Sequence, residues 1–181
     1  FPEGPEAADG WLVTGSRHGA YEDHPWIPPL EQLIRDIRAA GRPLVGICFG
    51  HQIIAQALGG RVVKWPGGWA VGRTVYDWGG RPVAMNAWHQ DQIVEAPEDA
   101  EVVATHHDCP YAALLYDGEI FTVQAHPEFD FAVVEGLAET RGRGVVPDEK
   151  LDAALAAGDS PTDRTEVGAM IARFFRERRI A

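Results

Sequence analysis

Gly46-Ile47-Cys48-Phe49-Gly50 stands where an apolar run, Pro43 to Cys48, gives way to a helix-patterned segment, Gly50 to Leu58. A thiol on such a turn is lifted clear of a sheet, and small residues two before and two after it relieve crowding in the bend. The free N–H groups and dipole of the following helix favour thiolate over thiol. The Phe49 N–H is placed to bind a developing oxyanion. A free cysteine alone is more often a small buried hydrophobe. What changes the balance is His126-Pro127-Glu128 at the end of a strand-patterned run. A thiol nucleophile needs a base or ion-pair partner, and the imidazole needs a third group to fix its tautomer. Glu128 lies two residues past His126, and Pro127 stiffens the link. Cys48 and His126 are 78 residues apart, so only tertiary contact can join them. A parallel sheet whose strand ends open on one edge supplies it.

The elements that must do this positioning follow from periodicity. Trp11 to Thr14 reads as a short buried strand, followed by a Pro-punctuated loop from Arg17 to Pro29. Leu30, Leu33, Ile34 and Ile37 recur at helical spacing, and Gly41 ends that helix. Pro43 to Cys48 is a strand, and Ile53, Ile54, Ala57 and Leu58 mark the next helix, stopped by Gly59-Gly60. Apolar runs rather than alternation predict a sheet covered on both faces. Short strands at Arg61 to Lys64, Thr74 to Asp77 and Val102 to Thr105 follow, then a hairpin around Asp117-Gly118 that leads into His126. Leu151, Ala154 and Leu155 predict a short helix. Val167, Met170, Ile171, Phe174 and Phe175 predict a last one, with Thr162 or Asp163 as N-cap. Residues 1–181 are expected to form a single α/β domain.

Composition excludes several classes. The 181 residues are 45% hydrophobic and 24% charged, an ordinary globular mixture. Sixteen Lys and Arg against 27 Asp and Glu give a net charge of -11. Nucleic acid is therefore not expected as a partner. No apolar stretch approaches the ~20 residues that span a bilayer, so no membrane association is expected. Two cysteines, Cys48 and Cys109, fit a reducing, cytoplasmic setting better than a stapled secreted domain.

The sequence resembles the triad-type, or class I, glutamine amidotransferases, in particular their stand-alone, GMP-synthase-like branch. Gly46 to Gln52 is similar to their nucleophile motif, and Gln124-Ala125-His126-Pro127-Glu128 to their His-Pro-Glu motif. Trp88-His89-Gln90-Asp91-Gln92-Ile93-Val94 resembles the segment often read Ser-His-x-Asp-x-Val. Thr14-Gly15-Ser16, ahead of Tyr21 to Ile27, resembles the oxyanion loop. These landmarks run in the family's order from about Gly10 to Phe129. The resemblance implies a flavodoxin-like three-layer α/β sandwich with a mostly parallel central sheet. Members carry a first strand and helix ahead of the oxyanion strand, and the chain shows neither before Trp11. Gly-Ser in place of Gly-Gly-Pro, and Trp88-His89 in place of Ser-His, are further departures, and they bear on substrate detail.

By motif, the resemblance implies Cys48 as nucleophile, His126 as base and Glu128 as its orienter. The backbone N–H groups of Gly15 and Phe49 would form the oxyanion hole. Gln52, Trp88, His89 and Gln90 would hold the glutamyl moiety. The expected activity is hydrolysis of the glutamine γ-carboxamide through a γ-glutamyl thioester, releasing ammonia to a synthetase partner or other acceptor, without a cofactor. Two alternatives stay open: a γ-glutamyl peptidase or amide hydrolase with the same triad, and a non-catalytic regulatory subunit. An α/β-hydrolase fits poorly, because there the acid lies well upstream of the base.

Weaker features are read more plainly. His106-His107-Asp108-Cys109 has the residue types of a zinc site, but adjacent histidines on a strand point apart. No metal is expected there. His51 is expected to pack rather than act as base. Trp65, Trp69, Trp78 and Trp88 could cover the core or line a pocket. Gly67-Gly68 without a following Gly-Lys gives nucleotide binding no support.

Overall fold

The computed structural model describes residues 1–180. Its sheet is organised around β2 (Leu44–Ile47), buried at every position and lying parallel to both β1 (Trp11–Val13) and β9 (Ile120–Val123). A strand covered on both faces needs no polar alternation, which is why Leu44 to Ile47 reads as an unbroken apolar run. Beyond β9 the sheet continues antiparallel through β8 (Cys109–Tyr116), β7 (Glu101–His106), β4 (Ala70–Trp78) and β5 (Arg81–His89). The strand order is β1-β2-β9-β8-β7-β4-β5, while β3 (Arg61–Lys64) and β6 (Asp91–Glu95) form a separate antiparallel pair.

Successive residues of β2 feed opposite faces of the sheet. On one face Leu44 packs with Ile34 and Ile37 of α1 (Ile27–Ala39) and with Ile53 and Ile54 of α2 (Phe49–Ala57). On the other, Val45 joins Phe121 and Val123 beneath Val167 and Phe174 of α5 (Arg164–Glu177). Helix, sheet, helix: the three-layer α/β arrangement follows from these two cores. A third, smaller cluster joins Leu151 of α4 (Asp148–Ala156), Val146 and Ala138 to Trp69 and Trp88. It fastens α3 (Phe131–Leu137) and the π-helical turn Ala138–Gly142 over one end of the sheet.

Helix α1 begins ahead of its apolar stripe, because Pro28 and Pro29 occupy the first turn, where a missing N–H costs nothing. The β8–β9 hairpin turns at Asp117 and Gly118, both at positive φ (45° and 71°). Asp163 does precede α5, but its carboxylate accepts from the Ala84 N–H at 2.7 Å instead of capping the helix. One expectation about side-chain direction needs correction. His106 closes β7 but His107 lies in the turn to β8, so the two rings converge, with centroids 4.2 Å apart. Among the described residues, no helix is long and apolar enough to cross a membrane.

Candidate active site

Cys48 sits between the last residue of β2 and the first of α2 with φ 53° and ψ -106°, a conformation that side chains other than glycine rarely adopt. The turn is pinned on both sides: the Cys48 N–H donates to the Val123 carbonyl at 2.9 Å, and the Gln52 N–H donates to the Cys48 carbonyl at 3.1 Å. The flanking glycines are a steric requirement. A Cβ on Gly46 would lie 2.6 Å from the Gly50 carbonyl, and one on Gly50 would lie 1.9 Å from the Val13 oxygen. Phe49 is the first residue of α2, so its N–H points out of the helix end without an intrahelical acceptor.

The chain running on from β9 delivers His126, whose N–H donates to the Asn86 carbonyl at 2.9 Å. Its ring is held in two ways. Nδ1 bonds to Glu128 Oε1 at 2.7 Å, and the face stacks on Phe129 at 3.9 Å and 7°. With Nδ1 occupied, Nε2 is left free for the neighbouring Cys48, whose thiol donates to the Trp88 carbonyl at 4.0 Å in this structure. Burial disfavours the imidazolium, but the bonds to Cys48 and Glu128 outweigh it and push His126 up to about 9. Gly15 closes the group from β1: a Cβ there would lie 3.1 Å from His126 Cε1 and 3.8 Å from the Cys48 Cβ.

These groups open on a cavity of about 600 Å³, within the range of roughly 300–1,000 Å³ that holds small-molecule ligands. Cys48, His126, Glu128 and Gly15 form one part of its lining; Gln52, Trp88, His89 and Gln90 form another. Gln52 is committed through its amide nitrogen, which donates to the Asp91 carbonyl at 2.7 Å and to Gln124 Oε1 at 3.1 Å. Its place is a strut of the wall. His89 is buried, its ring nitrogens make no hydrogen bond among the described residues, and desolvation lowers it to about 3, so it stays neutral. His51 packs away from the cavity, bonded to Thr122 Oγ1 at 2.7 Å and the Tyr111 carbonyl at 2.9 Å.

Several further residues line the cavity beyond those the motifs single out for the site. The loop after β1 contributes His18, Tyr21 and Glu22, with the Tyr21 hydroxyl donating to Asp91 Oδ1 at 3.0 Å. Burial first, then the Asp91 charge and hydrogen bond, push Tyr21 up to about 12. Lys64, Trp69, Leu137, Arg141 and Val145 complete the rim. Neither Lys64 nor Arg141 forms an ion pair among the described residues. Trp69 and Trp88 meet edge to face at 6.4 Å. Trp78 instead packs on Phe121 in the core, so the tryptophans divide between both roles.

Comparison with known proteins agrees with this architecture. The chain is 32% identical over 177 residues to a glutamine amidotransferase-like protein of Schizosaccharomyces pombe, covering 92% of this chain and 71% of that one. It is 31% identical over 148 residues to gamma-glutamyl peptidase 4 of Arabidopsis thaliana, covering 72% of this chain and 58% of the relative. It is 39% identical over 126 residues to a glutamine-hydrolysing GMP synthase of Aeropyrum pernix, covering 64% of this chain but only 22% of that protein. The crystal structure of a glutamine amido transferase from Methylobacillus flagellatus superposes with a TM-score of 0.76 at 22% identity, over 98% of this chain and 78% of that one. Residues 8–133 match the family model for glutamine amidotransferase class-I. The chain therefore belongs to the class-I glutamine amidotransferase family.

Proposed function

We propose that residues 1–181 act as one cysteine-dependent amidohydrolase domain that cleaves the γ-carboxamide bond of glutamine or of a γ-glutamyl compound. The observation that carries this reading is the convergence of Cys48, His126 and Glu128 on one cavity from separate parts of the sheet. The Cys48 thiolate attacks the γ-carbonyl carbon, and the new oxyanion accepts hydrogen bonds from the Gly15 and Phe49 N–H groups. The imidazolium of His126 passes its proton to the departing amine, leaving a γ-glutamyl thioester. His126, now neutral, takes a proton from water as the water attacks that thioester, and glutamate leaves. Glu128 holds the ring in the tautomer both steps need. The residues require no cofactor.

Released ammonia would pass to a synthetase partner or another acceptor, as the similarity to GMP synthases supports. Cys48 and Cys109 are both free, which fits a reducing, cytoplasmic compartment. A second reading, γ-glutamyl peptidase, is favoured by the rim: Lys64 and Arg141 offer unpaired cations to a leaving group that carries a carboxylate. Purified protein with L-glutamine and with γ-glutamyl dipeptides separates the two. Ammonia from glutamine supports the first reading and free amino acid from dipeptides the second; absence of both overturns the hydrolase. A regulatory subunit would leave Cys48 unreactive toward a glutamine-analogue electrophile.

A further inference from the structure

The loop between β1 and α1 brings two imidazoles and a carboxylate together at the rim of the cavity. His18 Nδ1 lies 3.2 Å from Glu22 Oε2, and His24 Nε2 lies 2.6 Å from the same oxygen. The ligand atoms of all three residues fall within 4.8 Å of one another. Tetrahedral Zn²⁺ holds nitrogen and oxygen donors at about 2.0–2.2 Å, which sets them about 3.3 Å apart. The two observed separations, 3.2 and 2.6 Å, fall at and below that spacing, so small outward side-chain shifts suffice to admit an ion. The rings are supported from outside the donor set: His24 stacks on Trp26 at 5.4 Å and 9°, and Trp26 in turn packs on Phe49. His18 meets His24 edge to face at 4.3 Å.

We propose that His18, Glu22 and His24 form a site for a borderline divalent transition metal, Zn²⁺ foremost, at the mouth of the cavity. Two imidazoles and one carboxylate are the donor set of such ions and a poor one for Mg²⁺ or Ca²⁺, which take mostly oxygen. Side-chain exposures of 30%, 40% and 31% for the three residues leave a path for entry and a position for water. Binding ties His18 and Glu22, both in the cavity wall, to one centre and fixes the loop that follows Gly15. The site is therefore a clamp on the edge of the oxyanion loop. His106, His107 and Asp108 also converge, but they occupy the tip of a hairpin, with His107 and Asp108 side chains 78% and 65% exposed. No aromatic outside that trio supports His107 as Trp26 supports His24.

Zn²⁺ alone, titrated calorimetrically into the Cys48→Ala protein, tests this without ligation by that thiol. One equivalent is expected to bind, with quenching of tryptophan emission as the ring stacked on Trp26 is recruited. His18→Ala and His24→Ala should each weaken binding tenfold or more, and His107→Ala should leave it unchanged. His24→Gln keeps the loop's bulk and must show the same loss; circular dichroism verifies folding of each variant. Absence of saturable binding to the folded protein, undiminished binding by His24→Gln, or loss on His107→Ala would each overturn the site.

Discussion

The two sides of the cavity are built on different principles. On the β2 side, position after position is dictated by contact distances. Gly46 and Gly50 have no room for a Cβ, Gly15 fits against His126 and Cys48, and Cys48 is held in a backbone conformation few residues adopt. Across the opening, the rim formed by Lys64, Leu137, Arg141 and Val145 projects from a short strand, a helix end, a π-helical turn and a loop, all with exposed or half-buried surfaces. The first side tolerates almost no substitution. The second can vary in charge and size without disturbing the sheet. On the proposed reading, the chemistry would be fixed by sterics and the choice of leaving group left to side chains that steric rules barely touch.

The comparison can be broken most directly at the sulfur. Cys48→Ala should lower glutamine or γ-glutamyl turnover by about 10⁴-fold or more, while far-ultraviolet circular dichroism stays unchanged. Next comes a pair of glycines. Gly50→Ala places a methyl group against the Val13 carbonyl and should destabilise the fold by about 3 kcal/mol or more in urea titration. Gly168→Ala, in α5 with nothing within 4 Å, should instead stabilise by about 0.4–1 kcal/mol. Equal effects at the two positions would erase the contrast between the two sides.

Glu128→Gln should cut turnover by about 10- to 100-fold and move the alkaline limb of the pH profile downward, because one of the groups holding His126 near 9 is lost. A histidine raised above its ordinary value of about 6.5 contributes stability that is fully present below about pH 6.5 and lost as pH rises through about 9. Urea midpoints of the unmodified protein should fall across that window, and those of Glu128→Gln should fall less. The smallest effect is expected at the rim. Arg141→Ala should change glutamine turnover by no more than about 2-fold, while kcat/KM for γ-glutamyl dipeptides with a free carboxylate drops by about 10-fold. A uniform loss on both substrates would place Arg141 with the chemistry after all.

What could be read in advance follows the same division. The elbow was legible because its sterics are local: Gly46, Cys48 and Gly50 are neighbours in the chain and their spacing states the requirement. His126 and Glu128 were legible because only Pro127 separates them. Helices α1, α2 and α5 announced themselves through apolar stripes on long segments. The β4–β5 hairpin was only partly visible, since Gly72, Gly79, Gly80 and Pro82 interrupt it and β5 lies at the sheet edge. Helix α3 and the turn carrying Arg141 have no regular pattern, and their positions come from packing on Trp88 and Leu151. Gln52 shows a subtler limit: its motif marks it as important, but its amide nitrogen is bound to Asp91 and Gln124, which no spacing reveals.

The backbone at Cys48 carries one more implication. A residue without a side chain would occupy φ 53°, ψ -106° at less cost, by about 1–3 kcal/mol for such a conformation, partly offset by about 0.5–1 kcal/mol of glycine's extra freedom when unfolded. Of two inert replacements, glycine should therefore outlast alanine on heating. The molecule is less durable than its own scaffold allows, and the shortfall is located in the backbone of the residue proposed to react.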